Sequence, residues 1–441
     1  MDQFILNNFC LFLKNIRSKI PVFEPEGHLD PDRWQCEDNS MKMLCIILFL
    51  LSGLHAQAQI DLHAHLDMKP GVGVLLNGGT NDPIQADTWY SRFSSKASLA
   101  SLDALHSPKV IVVSLYGHPI LSNPTRFDWM ENTRDALEIE YAHIQQFLVR
   151  HPLTYGLART PAEARKLLAA KKNVLILSIE GAYGAFESEL DYKKWIDERG
   201  VAIVTPFHLT EDHFGGVAFM RPWAAIFNTP IRFFESLLIT NLSCLSTFCE
   251  NPMGVKPDGD LLIRTLLDRK VWIDLAHANE MEVREVLPQL TAKHLPILVT
   301  HTQIREVFPA ERGVGQMEVD YLTKNGGIIG LMPTEDFIVD SKVPATSGCN
   351  KGIAYFKDIF QYAQKRLGDS HVALGSDSNA PLAGLSPHCK SDSSSKFNRL
   401  EVTGYVNYNQ WNELGDYVSD DMNWNSRIIE SFLSAWEKVR P

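Results

Sequence analysis

The sequence predicts an α/β fold, a (β/α)8 TIM barrel with loop insertions, over residues 59–441. Three observations lead there. Eight short apolar runs rich in β-branched residues recur along the chain, with helix-period segments between most of them. Strands alternating with helices imply parallel pairing through crossover helices, and eight such units close a barrel. Finally, the residues best able to ligate a metal or move a proton stand at the C-terminal ends of those runs, where barrel enzymes carry their chemistry. No glycine-rich dinucleotide fingerprint opens a helix, which places a doubly wound open sheet second.

In chain order, strands are expected at Gln59–His63, Lys109–Tyr116, Asn173–Ile179, Val201–Phe207, Val271–Leu275, Pro296–Thr300, Gly327–Met332 and His371–Gly375. Each runs into a polar or glycine-rich turn. Helical spacing of apolar residues is read at Arg134–Arg150, Pro161–Lys171, Asp191–Arg199, Leu261–Arg269, Glu280–Leu290 and Tyr355–Leu367. Thr80–Leu105 and Phe214–Pro257 are then insertions in loops. There is no internal repeat, and the only biased tract is the short serine run Ser393–Ser395.

Composition narrows the function classes. Lys and Arg total 42 against 53 Asp and Glu, a net charge of −11. That balance argues against a nucleic-acid binder, which needs a basic stripe, and against recruitment to anionic membranes. Met41-Lys42-Met43 precedes an apolar run from Leu44 to Leu54, and Ala56-Gln57-Ala58 follows as a small-x-small cleavage site. The run has signal-peptide length and is too short to span a bilayer. Residues 41–58 are therefore expected to be a signal peptide cut after Ala58, giving a periplasmic or secreted product. Residues 1–40 then read as an over-called upstream extension, with translation starting at Met41 or Met43. Of seven cysteines, Cys244, Cys249, Cys349 and Cys389 remain in the mature chain, and four cysteines allow three pairings. None forms a CxxC pair, so a thiol-bound zinc site is not expected.

The strand ends carry the chemistry. The first runs into Asp61-Leu62-His63-Ala64-His65; imidazoles two residues apart on a strand share a side, so one ion can take both. The third ends at Glu180, the fifth runs through Asp274 to His277, the sixth ends at His301, and the eighth gives Gly375-Ser376-Asp377. Any one of these is readable as a capping acid or a histidine hydrogen-bonded at the rim. Five potential ligands and a spare carboxylate converging on one face are a site.

That order, HxH then Glu, His, His and Asp, resembles the amidohydrolase superfamily. The stretches Ile179-Glu180-Gly181, Ile273-Asp274-Leu275-Ala276-His277 and Thr300-His301-Thr302 narrow it to the membrane (renal) dipeptidase family, with Arg312-Gly313-Val314, Gly375-Ser376-Asp377 and a closing helix Asn425–Val439 in support. The resemblance implies two divalent metal ions, zinc first among them. His63 and His65 would hold one and His277 and His301 the other, with Glu180 bridging. It further implies that His208 contacts the substrate, that Arg312 binds its carboxylate and that Asp377 is the acid/base carboxylate. Three features depart from the family. His65 stands where the family has an aspartate, which removes a negative charge from the metal shell, and Asn379 stands where it has an acidic residue. The family's tyrosine at the end of strand seven has no counterpart in Leu331-Met332-Pro333-Thr334.

The expected function is a metal-dependent dipeptidase acting on dipeptides with a free C-terminal carboxylate. The alternatives are another amidohydrolase, such as an N-acyl amino acid deacylase or a lactonase, and a non-catalytic binding protein on the same barrel. The expected partner is a small peptide or N-acyl amino acid, with no nucleic acid and no membrane span in the mature chain; a homodimer stays open. His118, His213 and His388 fall in loops and are assigned no role.

Overall fold

The computed structural model describes residues 59–66, 97, 99, 102, 108–117, 129–220, 250–380, 382–390, 397–406, 408–419, 421 and 423–441. The chain divides into Met1–Ala56 and Gln57–Pro441, and every described residue lies in the second unit. The expected signal segment, the upstream extension, most of both insertions, Cys244, Cys249 and His118 lie outside the described residues.

Among the described residues, nine parallel strands run β1 (Ile60–Ala64), β2 (Val110–Tyr116), β3 (Tyr155–Leu157), β4 (Asn173–Glu180), β5 (Ile203–Thr205), β6 (Trp272–Ile273), β7 (Ile297–Thr302), β8 (Gly327–Leu331) and β9 (Val372–Leu374). They form one sheet in the order β1-β2-β4-β5-β6, with β3 added beside β4, and a second in the order β7-β8-β9. The result is an α/β fold with a curled parallel sheet, a half-barrel. The continuous eight-strand closure expected from the sequence is reduced to single parallel bridges, Asp274 with Leu298 and Ala64 with Ser378, which join the two sheets.

All eight expected strands are present, most of them shortened or shifted by a residue or two. β3 was not anticipated, because three residues at a sheet edge carry too little periodicity to detect. Every residue of β4 is buried, as are those of β1, β7 and β8. Burial on both faces is what helices covering a parallel sheet impose, and it explains why these runs read as continuously apolar.

The helices between strands are α1 (Trp129–Arg150), α2 (Pro161–Ala169), α3 (Glu189–Tyr192), α4 (Pro257–Asp268), α5 (Glu280–Ala292), α6 (Gln316–Asn325) and α7 (Gly352–Leu367). After β9 come α8 (Asn398–Thr403), α9 (Trp411–Val418) and α10 (Trp424–Val439). Local sequence sets their starts. Pro161 opens α2 behind a Thr160 cap that accepts from the Glu163 amide at 3.2 Å. Asn279 and Glu282 form a reciprocal capping box at the start of α5. The segment expected as one helix from Asp191 continues α3 as a π-helical stretch, Lys193–Glu198, which buries Trp195 and Ile196. Helix α10 closes the fold: the Trp424 indole donates to the Val372 carbonyl at 3.2 Å, and Phe432 packs on Trp272.

Cys349 and Cys389 are bonded, which selects one of the open pairings and joins the loop after β8 to the loop after β9. The bridge closes a span of 40 residues, so Cys349→Ser with Cys389→Ser is expected to cost about 3–4 kcal/mol by loop-closure entropy. The measurement is the urea midpoint of the oxidised protein against the double variant; equal midpoints would show that the bridge is energetically idle.

Candidate metal centre

Glu180 ends β4 in register between Tyr116 on β2 and Thr205 on β5, so its side chain leaves the C-terminal edge of the sheet. It is 2 % exposed. Its two oxygens face different partners. Oε2 lies 3.1 Å from His65 Nε2 and 3.5 Å from His63 Nε2. Oε1 lies 3.2 Å from both His277 Nε2 and His301 Nε2. Each histidine pair also closes on itself, with Nε2 atoms 3.2 Å apart for His63 and His65 and 3.0 Å apart for His277 and His301. His63, His65 and Glu180 form one group able to hold a metal, and Glu180, His277 and His301 form another.

These spacings suit a cation. Two nitrogens bound tetrahedrally at zinc–imidazole distances of 2.0–2.1 Å stand about 3.3 Å apart. The Oε1 atom, moreover, is buried with no hydrogen-bond partner among the described residues. A bare carboxylate oxygen in a dry site is costly unless a cation meets it.

Asp377 stands over the first group, with Oδ1 3.2 Å from His65 Nε2 and 4.0 Å from His63 Nε2. Its placement is built from backbone: the Asp377 amide donates to the His63 carbonyl at 2.9 Å, and Ser376 donates its amide to Asp61 and its hydroxyl to the same His63 carbonyl. Gly375 is required there, because a Cβ would collide with the Thr300 carbonyl oxygen. Both Asp377 and His277 adopt left-handed backbone, with φ of 46° and 65°. Non-glycine residues in that region are costly, and such positions gather at functional sites.

Electrostatics follow from this packing. Burial pushes Glu180 up, but the charges of His208 and His63 and the close approach of the His277 and His301 imidazoles hold it well below the usual carboxylate range. Burial opposes charging His65, yet Asp377 and Glu180 outweigh it and raise that imidazole. His277 and His301 are driven well down, by burial first. The asymmetry concentrates acid partners on the His65 side.

His208, just beyond β5, has Nε2 3.5 Å from Glu180 Oε1 and stands edge-on to both Tyr116 and His277. A pocket of about 320 Å³, its open mouth included, is lined by Glu180, His208, Tyr116, Tyr183 and Asp212. Arg312 is buried, not a surface ion pair. One guanidinium nitrogen, Nη2, donates to the His301 carbonyl at 2.8 Å, whereas Nε and Nη1 are buried without a partner among the described residues. Burial lowers its pKa to about 10, against the pull of Asp377 and Glu180.

All eight residues singled out in the sequence, His63, His65, Glu180, His208, His277, His301, Arg312 and Asp377, are buried or nearly so in this region. Five others were given no role. Asp61 accepts from the Ser376 and His63 amides and from the Tyr408 hydroxyl, and burial raises its pKa to about 6. Asp274, Thr300 and Ser114 stand behind the imidazoles, where His65 Nδ1 meets the Ser114 carbonyl at 3.1 Å. Asn379 ties two segments together. Its amide nitrogen donates to the Ala97 carbonyl at 2.6 Å and to the His65 carbonyl, while its oxygen accepts from the Ala97 amide at 3.1 Å. An ionised aspartate has no hydrogen to donate and could not make those two bonds.

The fold and the site together define an α/β protein in which four imidazoles around a shared carboxylate form two groups able to hold a metal. The model of the membrane dipeptidase family, peptidase family M19, matches residues 241–390. Dipeptidase ataJ of Aspergillus terreus is 22 % identical over 336 residues, which is 70 % of this chain and 74 % of that protein. Among solved structures, the probable dipeptidase PvdM from Pseudomonas aeruginosa superposes with a TM-score of 0.63 at 15 % identity, covering 90 % of this chain and 99 % of that one. A metallopeptidase from Rhodobacter sphaeroides, liganded with a phosphinate mimic of the dipeptide L-Ala-D-Ala, gives 0.59 at 15 % identity, covering 87 % and 99 %. The resemblance to the membrane dipeptidases therefore holds in sequence and in fold.

Proposed function

We propose that this chain is a binuclear, zinc-dependent dipeptidase that hydrolyses the amide bond of dipeptides carrying a free C-terminal carboxylate. The family match and the metallopeptidase neighbours support the enzyme class, a metal-dependent dipeptidase hydrolase. The observation that carries the binuclear reading is the division of Glu180, one oxygen to each histidine pair. The same reading takes the two isolated bridges as the seams of a closed barrel. It also takes the Cys349–Cys389 bridge as the mark of an exported protein, because such bonds persist in oxidising compartments. Among the described residues, no helix is long and apolar enough to cross a membrane.

His63, His65 and Glu180 would hold one ion, and Glu180, His277 and His301 the other. Divalent ions bound there would supply polarisation of a carbonyl and a lowered pKa, towards about 7, for a water. The rest is done by the chain. Asp377 takes the proton from the attacking water and returns it to the leaving nitrogen as the amide bond breaks. His208 donates to the carbonyl oxygen as negative charge develops on it. Arg312 offers a buried guanidinium with unpartnered donors to the substrate carboxylate as charge-assisted hydrogen bonds.

Arg312 grips a part of the substrate that does not react, so Arg312→Ala is expected to raise KM more than it lowers kcat. Amidating the C-terminus of a dipeptide should hurt the wild type far more than the variant. Equal losses in the two enzymes would remove Arg312 from the carboxylate site. His65 favours a second reading: with a neutral ligand in place of an aspartate, the more electrophilic centre also suits an N-acyl amino acid deacylase. Side-by-side hydrolysis of dipeptides and N-acyl amino acids separates the two.

A further inference from the structure

We infer that Thr300 and Asp274 act as a positioning pair that ties one histidine of each metal group to the other, so that the two groups bind metal as a unit. The inference rests on the metal-centre reading above. His63 and His301 belong to different groups, yet their rings lie against each other at a tilt of 37° with centroids 3.8 Å apart. Both turn Nδ1 to one hydroxyl: Thr300 Oγ1 lies 3.2 Å from His63 Nδ1 and 2.9 Å from His301 Nδ1.

Proton counting fixes the roles. Asp274 is fully buried and meets four donors: its Oδ1 accepts from the Thr300 amide at 2.9 Å and the Ala276 amide at 3.0 Å, its Oδ2 from the Thr205 hydroxyl at 2.6 Å and the Thr300 hydroxyl at 2.5 Å. The single Thr300 hydroxyl proton therefore goes to Asp274. Two lone pairs remain on Oγ1, and both facing imidazoles must donate to them. A neutral imidazole that donates from Nδ1 has a bare Nε2, and here both Nε2 atoms face Glu180. One hydroxyl thus sets the tautomer and the ring orientation of a ligand in each group.

His63, Asp274 and His301 are also close enough to suggest a third metal group. Thr300 Oγ1 occupies its centre, so it is a hydrogen-bond hub instead. His65 and His277 lie outside the arrangement, since His65 is oriented by the Ser114 carbonyl and His277 Nδ1 is buried without a partner among the described residues.

Two measurements test this. In metal-free wild type, nitrogen NMR of the histidine rings is expected to show His63 and His301 both protonated at Nδ1; an Nε2-protonated ring at either position overturns the inference without bearing on activity. The second is zinc titration against a competing chelator. Thr300→Val is expected to weaken both ions together by about 10–100-fold, whereas Thr300→Ser, which keeps the hydroxyl, stays near wild type. Wild-type affinity in Thr300→Val, or loss of one ion with the other held normally, refutes the coupling. A wild type that binds no divalent ion fails the metal-centre reading itself, a result distinct from either.

Discussion

Glu180→Gln is expected to release both ions together and to lower kcat/KM by about 10⁴-fold or more, a large part of the acceleration that enzymes supply. The substitution preserves shape and volume and leaves all four imidazoles in place. It nevertheless puts an amide nitrogen, with two donor hydrogens and no lone pair, where one of the carboxylate oxygens stood. Because Oε2 faces His65 at 3.1 Å and Oε1 faces His277 and His301 at 3.2 Å, one half loses a ligand whichever way the amide turns. The other half loses the shared negative charge. Elemental analysis after dialysis at fixed free zinc, alongside a dipeptide assay, makes the measurement. A variant that retains one ion at full occupancy and loses the other would count against a bridging role.

The candidate ligand set was legible in the sequence because its members stand at or just beyond the ends of four parallel strands, β1, β4, β6 and β7. A parallel sheet carries all such ends to one edge, so the residue type and its place at the end of an apolar run already imply convergence. The supports behind the ligands were hidden for a physical reason: their partners are remote in sequence and invisible to local pattern. Tyr408 donates to Asp61 across 347 positions, and Ser376 does so across 315. Thr300 was visible as part of a motif, but nothing local shows that its hydroxyl faces two imidazoles. Arg312 was named through the resemblance alone; its burial and its two unpartnered nitrogens depend on tertiary packing that no local pattern shows.

Among the elements, strands declared themselves through continuous apolar runs, whereas the short helices of the loops did not. Helix α6 starts after a glycine, with the Gly315 amide on the Glu318 carboxylate, and offers only ten residues of weak pattern. Helices α8 and α9 follow a stretch of serine, asparagine and tyrosine that favours turns over helix. Their stability is tertiary: Trp411 and Leu414 are fully buried, and Tyr408 stacks on Trp411. Closure of the barrel was expected from eight strands alternating with helices. At the two seams the backbone pairs only once each, because β6 is two residues long and β9 three.

Asp377→Asn is expected to lower kcat by about 10²–10⁴-fold while leaving the metal content nearly intact, the range typical for loss of a general acid/base group. The substitution is unusually clean at this position. Asp377 holds φ of 46°, a conformation that asparagine tolerates better than most residues, so the turn from Gly375 survives the change. The backbone bond from residue 377 to the His63 carbonyl and both Ser376 bonds are independent of the side chain. The charge alone is removed, together with the oxygen that faces His65 Nε2 at 3.2 Å. Without a carboxylate there, nothing accepts the proton of the attacking water or hands it to the departing nitrogen. Both histidine pairs and Glu180 remain to hold metal. The two readouts must therefore part company: turnover collapses and elemental analysis stays near wild type. If zinc on the His63–His65 side falls in step with kcat, Asp377 is a metal ligand first, and the proton must travel by another group.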